Sequence, residues 1–419
     1  MDNVTGLTCV ICDKTYPADY AGYVCTDHGN EGILDVRYDY FTIAGEWSKE
    51  ILAANPDRTM WRYKPVMPVE PDAAVPPLTV GCTPMYDATP LAEALGIARV
   101  WVKDEGRQPT ASLKDRASAM AVVKARQFGA EIITTASTGN AAAALSGMAA
   151  SIGMKNVIFV PKTAPEAKVA QLLAYGSTVA LVNGNYDSAF ELCLLAAAEY
   201  GWFNRNTGFN PYMTEGKKTA GWEILEDLEW DAPDAIFVSV GDGSIIGGVH
   251  KAMKDAMALN WIKKMPRIYG IQSAGSDFMV QAFESGDDVL TKAKISADTV
   301  ADSISADLPR DRIKAMRAVT DTNGAYVRVS DDEILRAVPV LARGSGVFAE
   351  PAGAAAYAGL IKAVETRLVS ATDEVVVLST GSGLKDVASA MKAVAAVGTT
   401  PMNVDPTLDS LKEALGASQ

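Results

Sequence analysis

Few of the features that mark membrane, secreted or nucleic-acid-binding proteins occur in this sequence of 419 residues. It has no apolar run of about 18 residues, the length expected of a membrane-spanning helix. Residues 1–7 lack the basic stretch before an apolar one that begins a secretory signal. Positive charge is scarce, since 38 Lys and Arg stand against 51 Asp and Glu for a net charge of −13. Such a charge disfavours binding along a nucleic-acid backbone. We therefore expect a cytoplasmic protein with neither a membrane nor a nucleic acid as its partner.

Cysteine and histidine are also scarce, with five and two residues, and their placement is informative. Two cysteines are isolated, and the other three crowd the N-terminus, which is not a disulfide framework. Cys9-x2-Cys12 is separated by twelve residues from Cys25-x2-His28. This spacing is typical of a zinc ribbon with three thiolate ligands and one imidazole. The sequence therefore predicts a structural zinc site. The alternatives are a ribbon that binds no metal and a nucleic-acid-binding ribbon, which the acidic neighbouring residues disfavour.

From residue 99 onward, short apolar runs alternate with helical patterns that end at glycines. This alternation is typical of βαβ units on a parallel sheet, and the chain is long enough for two cores. We predict an α/β fold. Residues 56–90, with eight prolines, are expected to form an extended arm, and 283–319 irregular surface connections. The predicted strands are 99–103, 131–135, 156–160, 177–182, 235–240, 267–272 and 374–378, and the predicted helices are 114–128, 140–152, 165–175, 186–200, 247–259 and one near 311–319.

Lys114 is the most informative single residue, because it stands where a helix is predicted to begin behind a loop with proline and serine. At that position an amine can be held out of bulk water. A desolvated, deprotonated lysine amine forms Schiff bases, and pyridoxal phosphate is the commonest cofactor that uses one. The alternative is a solvated lysine beside its charged neighbours Asp115 and Arg116.

A second loop, Ser137-Thr138-Gly139-Asn140, lies between a predicted strand and a predicted helix. Backbone N–H groups at a helix N-terminus bind anions, so Ser137, Thr138 and Asn140 suit the α-carboxylate of a substrate. The Asn140 amide could also hold an oxygen of a cofactor ring. The alternative is that Thr138 or Asn140 simply caps the helix.

Two more loops follow buried strands, at the sheet edge where ligands bind in open α/β folds. Glycines let a backbone approach a phosphate, and a helix N-terminus favours its charge. Thr380, with Ser379 as its rival, could meet a pyridine nitrogen and leave it largely unprotonated, which suits elimination and replacement better than transamination. The predicted phosphate loop consists of Gly241, Asp242, Gly243, Ser244 and Ile245, in which the Asp242 carboxylate should point away.

Together these motifs resemble the threonine synthase branch of the fold-type II (tryptophan synthase β-like) pyridoxal-phosphate-dependent enzymes. The resemblance covers nearly the whole chain, including the N-terminal ribbon. It implies that Lys114 carries the Schiff base and later acts as general base, that Asn140 lies at the ring oxygen, and that Thr380 lies at the pyridine nitrogen. It places the phosphate against residues 241–245. The most specific segments are 109–116, 137–140, 210–212, 215–219, 350–352, 380–381 and 383–386.

The resemblance also implies two three-layer, parallel-sheet domains of the tryptophan synthase β-like type with a small zinc-ribbon-like N-terminal extension. We expect the ribbon at residues 1–45. Residues 46–120 and 215–419 are expected to form a large cofactor-binding domain, with 121–214 as a small mobile domain inserted in it. We also expect a homodimer that acts on a small amino-acid substrate.

Several positions depart from the branch. Met213 replaces an arginine that is associated with the substrate phosphate, and Ile304-Ser305-Ala306-Asp307-Leu308-Pro309 replaces a usual Ile-Arg-Ile-Gly-Asn-Pro run. Lys217, Lys218 and Arg310 are candidates to compensate. Arg310 and Arg312 either supply a different anion site or form a solvated turn.

The predicted function is pyridoxal-phosphate-dependent elimination or replacement at the β or γ carbon of an amino acid, as in a threonine synthase-like lyase. One alternative is an ammonia-lyase or dehydratase. Another is a cysteate synthase-like β-replacement enzyme that acts on an amino acid other than phosphohomoserine. A non-catalytic cofactor-binding or interaction protein is the remaining alternative, which the presence of Lys114 disfavours.

Overall fold

The computed structural model describes residues 3–164 and 166–416. The chain begins with a three-stranded antiparallel ribbon in the order β2-β1-β3, which we call the N-terminal ribbon (residues 4–38). Two short helices follow it, each with a side-chain N-cap, from Asp39 and Ser48. The elements are β1 (Val4–Cys9), β2 (Thr15–Tyr16), β3 (Leu34–Tyr38), α1 (Tyr40–Glu46) and α2 (Lys49–Ala54), with a 3-10 helix at Gly29–Glu31.

A six-stranded sheet forms the larger of two sheets beyond the ribbon. Its order is β12-β11-β10-β13-β5-β4, and only the edge strand β4 runs antiparallel. All residues of β10 are buried, as expected of a parallel strand covered on both faces by helices. The strands are β4 (Met85–Asp87), β5 (Arg99–Asp104), β10 (Ala235–Ser239), β11 (Arg267–Ser273), β12 (Tyr326–Val329) and β13 (Glu374–Ser379).

A four-stranded parallel sheet, in the order β8-β7-β6-β9, forms between residues 132 and 204. Alanine-rich helix α5 and helix α4 pack against each other beside it. The elements from α3 to β9, in chain order and apart from those already given, are α3 (Thr89–Leu95), α4 (Lys114–Gln127), β6 (Ile132–Ala136), α5 (Asn140–Ser151), β7 (Lys155–Pro161), α6 (Glu166–Ala174), β8 (Thr178–Val182), α7 (Tyr186–Tyr200) and β9 (Phe203–Asn204).

The remaining helices surround the six-stranded sheet or follow it along the chain. Within residues 3–164 and 166–416, no helix is long and apolar enough to cross a membrane. The remaining helices are α8 (Tyr212–Lys217), α9 (Thr219–Asp227), α10 (Ser244–Ala258), α11 (Phe278–Ser285), α12 (Arg312–Thr320), α13 (Asp331–Ser345), α14 (Pro351–Glu365), α15 (Val387–Ala396) and α16 (Leu408–Gly416), with 3-10 turns at Met60–Val66, Glu105–Arg107, Asp302–Ile304 and Gly383–Lys385.

The predicted α/β class with two parallel sheets is confirmed, and the predicted strands agree with the observed ones to within a residue at most ends. Two predictions are wrong in part. The proline-rich segment 56–90 is not simply extended, because Met60–Val66 forms a 3-10 helix that buries Trp61 and Tyr63 in the core. Helix α10 begins at Ser244 rather than at residue 247. Pro165, the predicted start of another helix, lies outside the described residues. The predicted domain boundaries stay a prediction.

Candidate active site

The carboxyl ends of β6, β10 and β13 meet at one cavity of about 350 Å³. Strands from both parallel sheets contribute to it, so residues far apart in the sequence lie on one wall. Every residue predicted to bind the cofactor or the substrate lines this cavity. These residues are Lys114, Ser137, Thr138, Asn140, Gly241, Asp242, Gly243, Ser244, Ile245 and Thr380.

Lys114 is the first residue of α4, and its side chain lies in the cavity wall. Within the described residues its amine takes part in no hydrogen bond or ion pair. Burial lowers the pKa of this amine, although Glu350 partly opposes the shift. The pairing that the alternative of a solvated lysine beside Asp115 and Arg116 implies is absent from the described residues. The Asp115 carboxylate instead accepts hydrogen bonds from the Thr110 backbone and hydroxyl, and Arg116 binds two buried glutamates.

The loop before α5 places Asn140 beside a buried carboxylate. Asn140 Nδ2 donates to Glu350 Oε1 at 2.6 Å and to Ser303 Oγ at 3.2 Å. Burial raises the pKa of Glu350. Helix α5 starts after Gly139 with no side-chain cap, so the capping alternative for Thr138 and Asn140 is wrong. The Asn140 amide is therefore oriented by Glu350, a residue to which the sequence assigned no role.

The glycine loop after β10 brings the N-terminus of α10 to the cavity. Gly243 has a φ of +92°, and a Cβ there would lie 2.6 Å from the Ala315 Cβ, so only glycine fits. The carboxylate of Asp242 accepts a hydrogen bond from the Arg310 backbone N–H at 3.4 Å, and burial raises its pKa. The loop thus brings the N-terminus of α10, where backbone N–H groups can bind an anion, to the cavity wall.

Two hydroxyls compete at the end of β13. Thr380 lines the cavity, and its backbone oxygen accepts a hydrogen bond from the Leu113 N–H at 3.0 Å. This bond joins the strand end to the residue before Lys114. Ser379 is fully buried and does not line the cavity, and its Oγ has no partner among the described residues. The geometry favours Thr380 as the cavity hydroxyl, and its role at a pyridine nitrogen stays a prediction.

The basic residues that could compensate for Met213 differ in whether they line the cavity. Met213 itself is fully buried in the core and does not line the cavity. Lys217 and Arg310 line the cavity, whereas Lys218 is paired with Glu215 and Asp255. Arg312 is buried and turns to Glu31 of the N-terminal ribbon, so it forms no solvated turn.

Arg205 also lines the cavity, and the sequence analysis missed it. It follows the two-residue strand β9, which is too short to give a periodic signal. No strand was predicted at residues 203–204, so no local signal placed Arg205 at the end of a strand.

The N-terminal ribbon brings Cys9, Cys12, Cys25 and His28 together, with their ligand atoms all within 4.8 Å of one another. Cys12 Sγ lies 3.9 Å from Cys25 Sγ, and His28 Nδ1 lies 3.6 Å from Cys25 Sγ. Two thiolates on one zinc at about 2.3 Å would be about 3.8 Å apart in a tetrahedral site. This group could hold a metal.

Comparison with known sequences agrees with the resemblance predicted from the motifs. A family model described as pyridoxal-phosphate dependent enzyme matches residues 77–381. The threonine synthase of Methanocaldococcus jannaschii is 34% identical over 97% of this chain and 98% of its own length. The threonine synthase of Methanosarcina acetivorans is 35% identical over 98% of both chains.

Solved structures are similar in fold. Processed threonine deaminase isoform 2 from Solanum lycopersicum has a TM-score of 0.64 at 23% identity and covers 76% of this chain and 88% of its own. Diaminopropionate ammonia lyase from Escherichia coli has a TM-score of 0.63 at 18% identity, with 74% and 87% covered. At these identities the likeness concerns the fold alone.

Proposed function

We propose that Lys114 performs the catalytic proton transfers on a small amino-acid substrate, because this chain belongs to the threonine synthase branch of the pyridoxal-phosphate-dependent enzyme family. The family carries out elimination or replacement at the β or γ carbon, and the predicted resemblance is confirmed. One observation carries the proposal for Lys114. Its amine lies in the shared cavity with no hydrogen-bond or ion-pair partner in the described part of the chain, and burial lowers its pKa.

The residues present fit the cofactor. Lys114 would hold it covalently, and the neutral N–H groups of the 241–245 loop at the start of α10 would hold its phosphate. Asn140 and Thr380 would flank its ring, and the Oγ of Ser239, buried in the cavity wall without a partner, adds an unused donor. When bound, pyridoxal phosphate supplies an electron sink for negative charge at the substrate Cα.

The protein's own residues supply binding and proton transfer. The N–H groups of Thr138 and Asn140, at the N-terminus of α5, bind the substrate α-carboxylate, because the N–H groups of Ser137 and Gly139 already donate to Phe159 O and Ser137 Oγ. The neutral Lys114 amine takes the proton from Cα, and its ammonium form returns a proton later in the reaction. The buried walls keep bulk water away from the amine, which holds its pKa down.

The test is a substrate screen that follows cofactor absorbance and product release. Wild-type protein and Lys114→Ala are mixed with phosphohomoserine, phosphoserine, serine, threonine and diaminopropionate. We expect at least one amino acid to change the wild-type spectrum and to be turned over, and none to be turned over by Lys114→Ala. Turnover that persists in the variant would contradict the role of Lys114.

A second candidate is action on an amino acid other than phosphohomoserine, either by β-replacement or by release of ammonia and a keto acid. The observation that favours it is Met213, which is buried in the core and offers no contact to a substrate phosphate. Loss of a charge-assisted contact that leaves a buried charge unpaired costs about 2–5 kcal/mol, or on the order of 30- to several-thousand-fold in specificity. A kcat/KM for phosphohomoserine of about 10⁴ M⁻¹s⁻¹ or more would instead make this chain a threonine synthase.

For the N-terminal ribbon we propose one structural zinc bound by Cys9, Cys12, Cys25 and His28. Metal analysis of protein purified without chelator should give about one zinc per chain. Cys12→Ser should lower that content, while Cys82→Ser, which changes an exposed cysteine outside the group, should not. Protein that folds with almost no zinc would favour a metal-free ribbon.

A homodimer and a cytoplasmic location are retained as proposals. Light scattering on the purified protein would test the first, and a mass of one chain at micromolar concentration would contradict it.

A further inference from the structure

Two cations of the cavity, Arg205 and Lys217, are buried without a direct ion-pair partner, although the Asp242 carboxylate lies close enough to act on both. Each side chain is about 1% exposed. Neither forms an ion pair with a carboxylate of residues 3–164 or 166–416. Arg310, in the same cavity, instead pairs with Asp187 at 3.2 Å and lies over the Phe190 ring. Among the arginines and lysines of the cavity wall, Arg205 and Lys217 share the lack of an ion-pair partner with Lys114, to which the cofactor link is assigned.

The two cations converge on the same hydroxyl. Arg205 Nη1 donates to Thr207 Oγ1 at 3.1 Å, and Lys217 Nζ donates to the same oxygen at 3.2 Å. Lys217 Nζ also donates to the Oγ of Ser244, the first residue of α10, at 2.8 Å. Two like charges therefore meet beside a helix N-terminus, which is itself positive.

Burial of these cations opposes folding unless something compensates it. Desolvation lowers the pKa of Arg205 to about 10 and the pKa of Lys217 well below its usual range, and Arg205 adds to the shift at Lys217. The nearby Asp311 carboxylate is directed to the Thr214 hydroxyl at 3.3 Å. No neutral hydroxyl can supply the missing negative charge, whereas an anionic ligand can.

We propose that Arg205 and Lys217, with the hydroxyls of Thr207 and Ser244, form a subsite for a tetrahedral oxyanion such as phosphate. The planar fork of an arginine and the point charge of a lysine both suit such a group. The oxyanion belongs either to the phosphate ester of the cofactor or to the distal end of the amino-acid substrate. The second source rests on the proposed function, and it would place the substrate's negative charge away from position 213.

The test measures binding of inorganic phosphate to the full chain in phosphate- and sulfate-free buffer, by calorimetry and by thermal melting. It uses the holoenzyme and the same protein stripped of cofactor. The variants are Arg205→Gln and Lys217→Gln, with Lys294→Gln as a control that removes a charge from an exposed side chain. Arg205→Lys keeps the charge at that site.

We expect phosphate to raise the melting temperature of the wild type and of Lys294→Gln. Its affinity should fall by about 10- to 100-fold in either Gln variant, the loss expected of one charge-assisted contact, and by less in Arg205→Lys. Without phosphate, the Gln variants should melt no lower than the wild type, because each has lost an unpaired buried charge. A merely structural role would give the opposite result.

Binding to the holoenzyme would identify the substrate as the source of the oxyanion. Binding only to stripped protein, in competition with pyridoxal phosphate, would identify the cofactor. Absence of binding to either form, or equal binding by the Gln variants, would overturn the proposal. None of these readouts needs turnover, so a failure here is distinct from a failure of the substrate screen.

Discussion

Two groups of buried charges differ in how their burial is balanced. The paired cluster consists of the buried residues Lys103, Glu105, Arg116 and Glu223 with Asp227 at its exposed edge, and the cavity cations are the partly buried Lys114 and the buried Arg205 and Lys217. In the paired cluster, Arg116 donates to both carboxylate oxygens of Glu105 and of Glu223, with all four contacts at 2.7 Å. Lys103 pairs with Glu223 at 3.1 Å and Asp227 at 2.8 Å. None of the cavity cations forms an ion pair within the described residues.

We interpret the paired cluster as structural, and the cavity cations as charges that a bound ligand would compensate. The planar guanidinium of Arg116 forms two hydrogen bonds to each of its two glutamates, so the charges of the paired cluster are compensated within the chain. The same cluster joins α4, which begins at Lys114, to α9 and to the loop before β4. It therefore holds the helix from which the Lys114 amine projects. The cavity cations, in contrast, raise the free energy of the empty protein.

The largest expected effect is the loss of turnover on substitution of Lys114, the cavity cation that is not part of the proposed oxyanion subsite. Lys114→Ala should lower turnover by about 10²- to 10⁴-fold through loss of proton transfer alone, and further through loss of the covalent link. Its free energy of unfolding should not fall, because the Lys114 amine has no partner in the described part of the chain.

Borohydride reduction of the holoenzyme, followed by peptide mapping, should label Lys114 and no other lysine. Label on Lys217, which lines the same cavity, would show that the two lysines have been assigned the wrong roles.

The paired cluster should respond in the opposite way. Glu223→Gln removes the carboxylate shared by Arg116 and Lys103, and it should lower the free energy of unfolding by about 3–5 kcal/mol because buried charges lose their partner. Denaturant unfolding of the ligand-free protein measures this change. The matched control is Asp87→Asn, which breaks the exposed pair with Arg99 and should cost at most about 1 kcal/mol. Similar losses in the two variants would remove the basis of the comparison.

The sequence predicted the parts of the site that carry local signals. The helix at Lys114 and the loops at residues 137–140 and 241–245 follow apolar strand runs and contain glycine or hydroxyl residues, so they could be recognised one by one. The start of α10 was placed too late because residues 241–245 were assigned to a loop, although the helix already begins at Ser244. Gly247 and Gly248, which are poor helix formers, therefore lie inside the helix. They are tolerated because Lys217 and Lys314 pack closely against them.

The charge pairing could not be read from the sequence. Arg116 and Glu223 are separated by 107 residues, and the tertiary fold alone brings them together. Similarly, nothing local distinguishes Lys217, which is unpaired, from the adjacent Lys218, which pairs with Glu215 and Asp255. Lys217 ends α8 and Lys218 is the next residue, so their side chains point in different directions and reach different surroundings.

His250 differs from both groups, because it is a titratable side chain that is buried in its neutral form. It is 3% exposed, and its Nε2 has no hydrogen-bond partner among the described residues. Burial, assisted by Lys254 and opposed by Asp35, lowers the pKa of His250 to about 3. The other facing carboxylate, Asp321, is half exposed and 3.9 Å away, too far to hold a proton on the ring.

The smallest expected effect is the pH dependence that His250 gives to the free energy of unfolding, and its direction is defined. A folded-state pKa below the unfolded value of about 6.5 means that acid favours the unfolded chain, so stability is lost as the pH falls below about 6.5. His250 alone should lower the free energy of unfolding by about 2 kcal/mol between pH 7 and pH 5. Urea unfolding at the two pH values should show that His250→Gln, which cannot titrate, falls by about 2 kcal/mol less than the wild type. Other groups that titrate in this window contribute equally to both proteins and cancel in the difference. Equal falls in the two proteins would mean that the ring is protonated in the folded state, and that His250 is a paired charge rather than a neutral core residue.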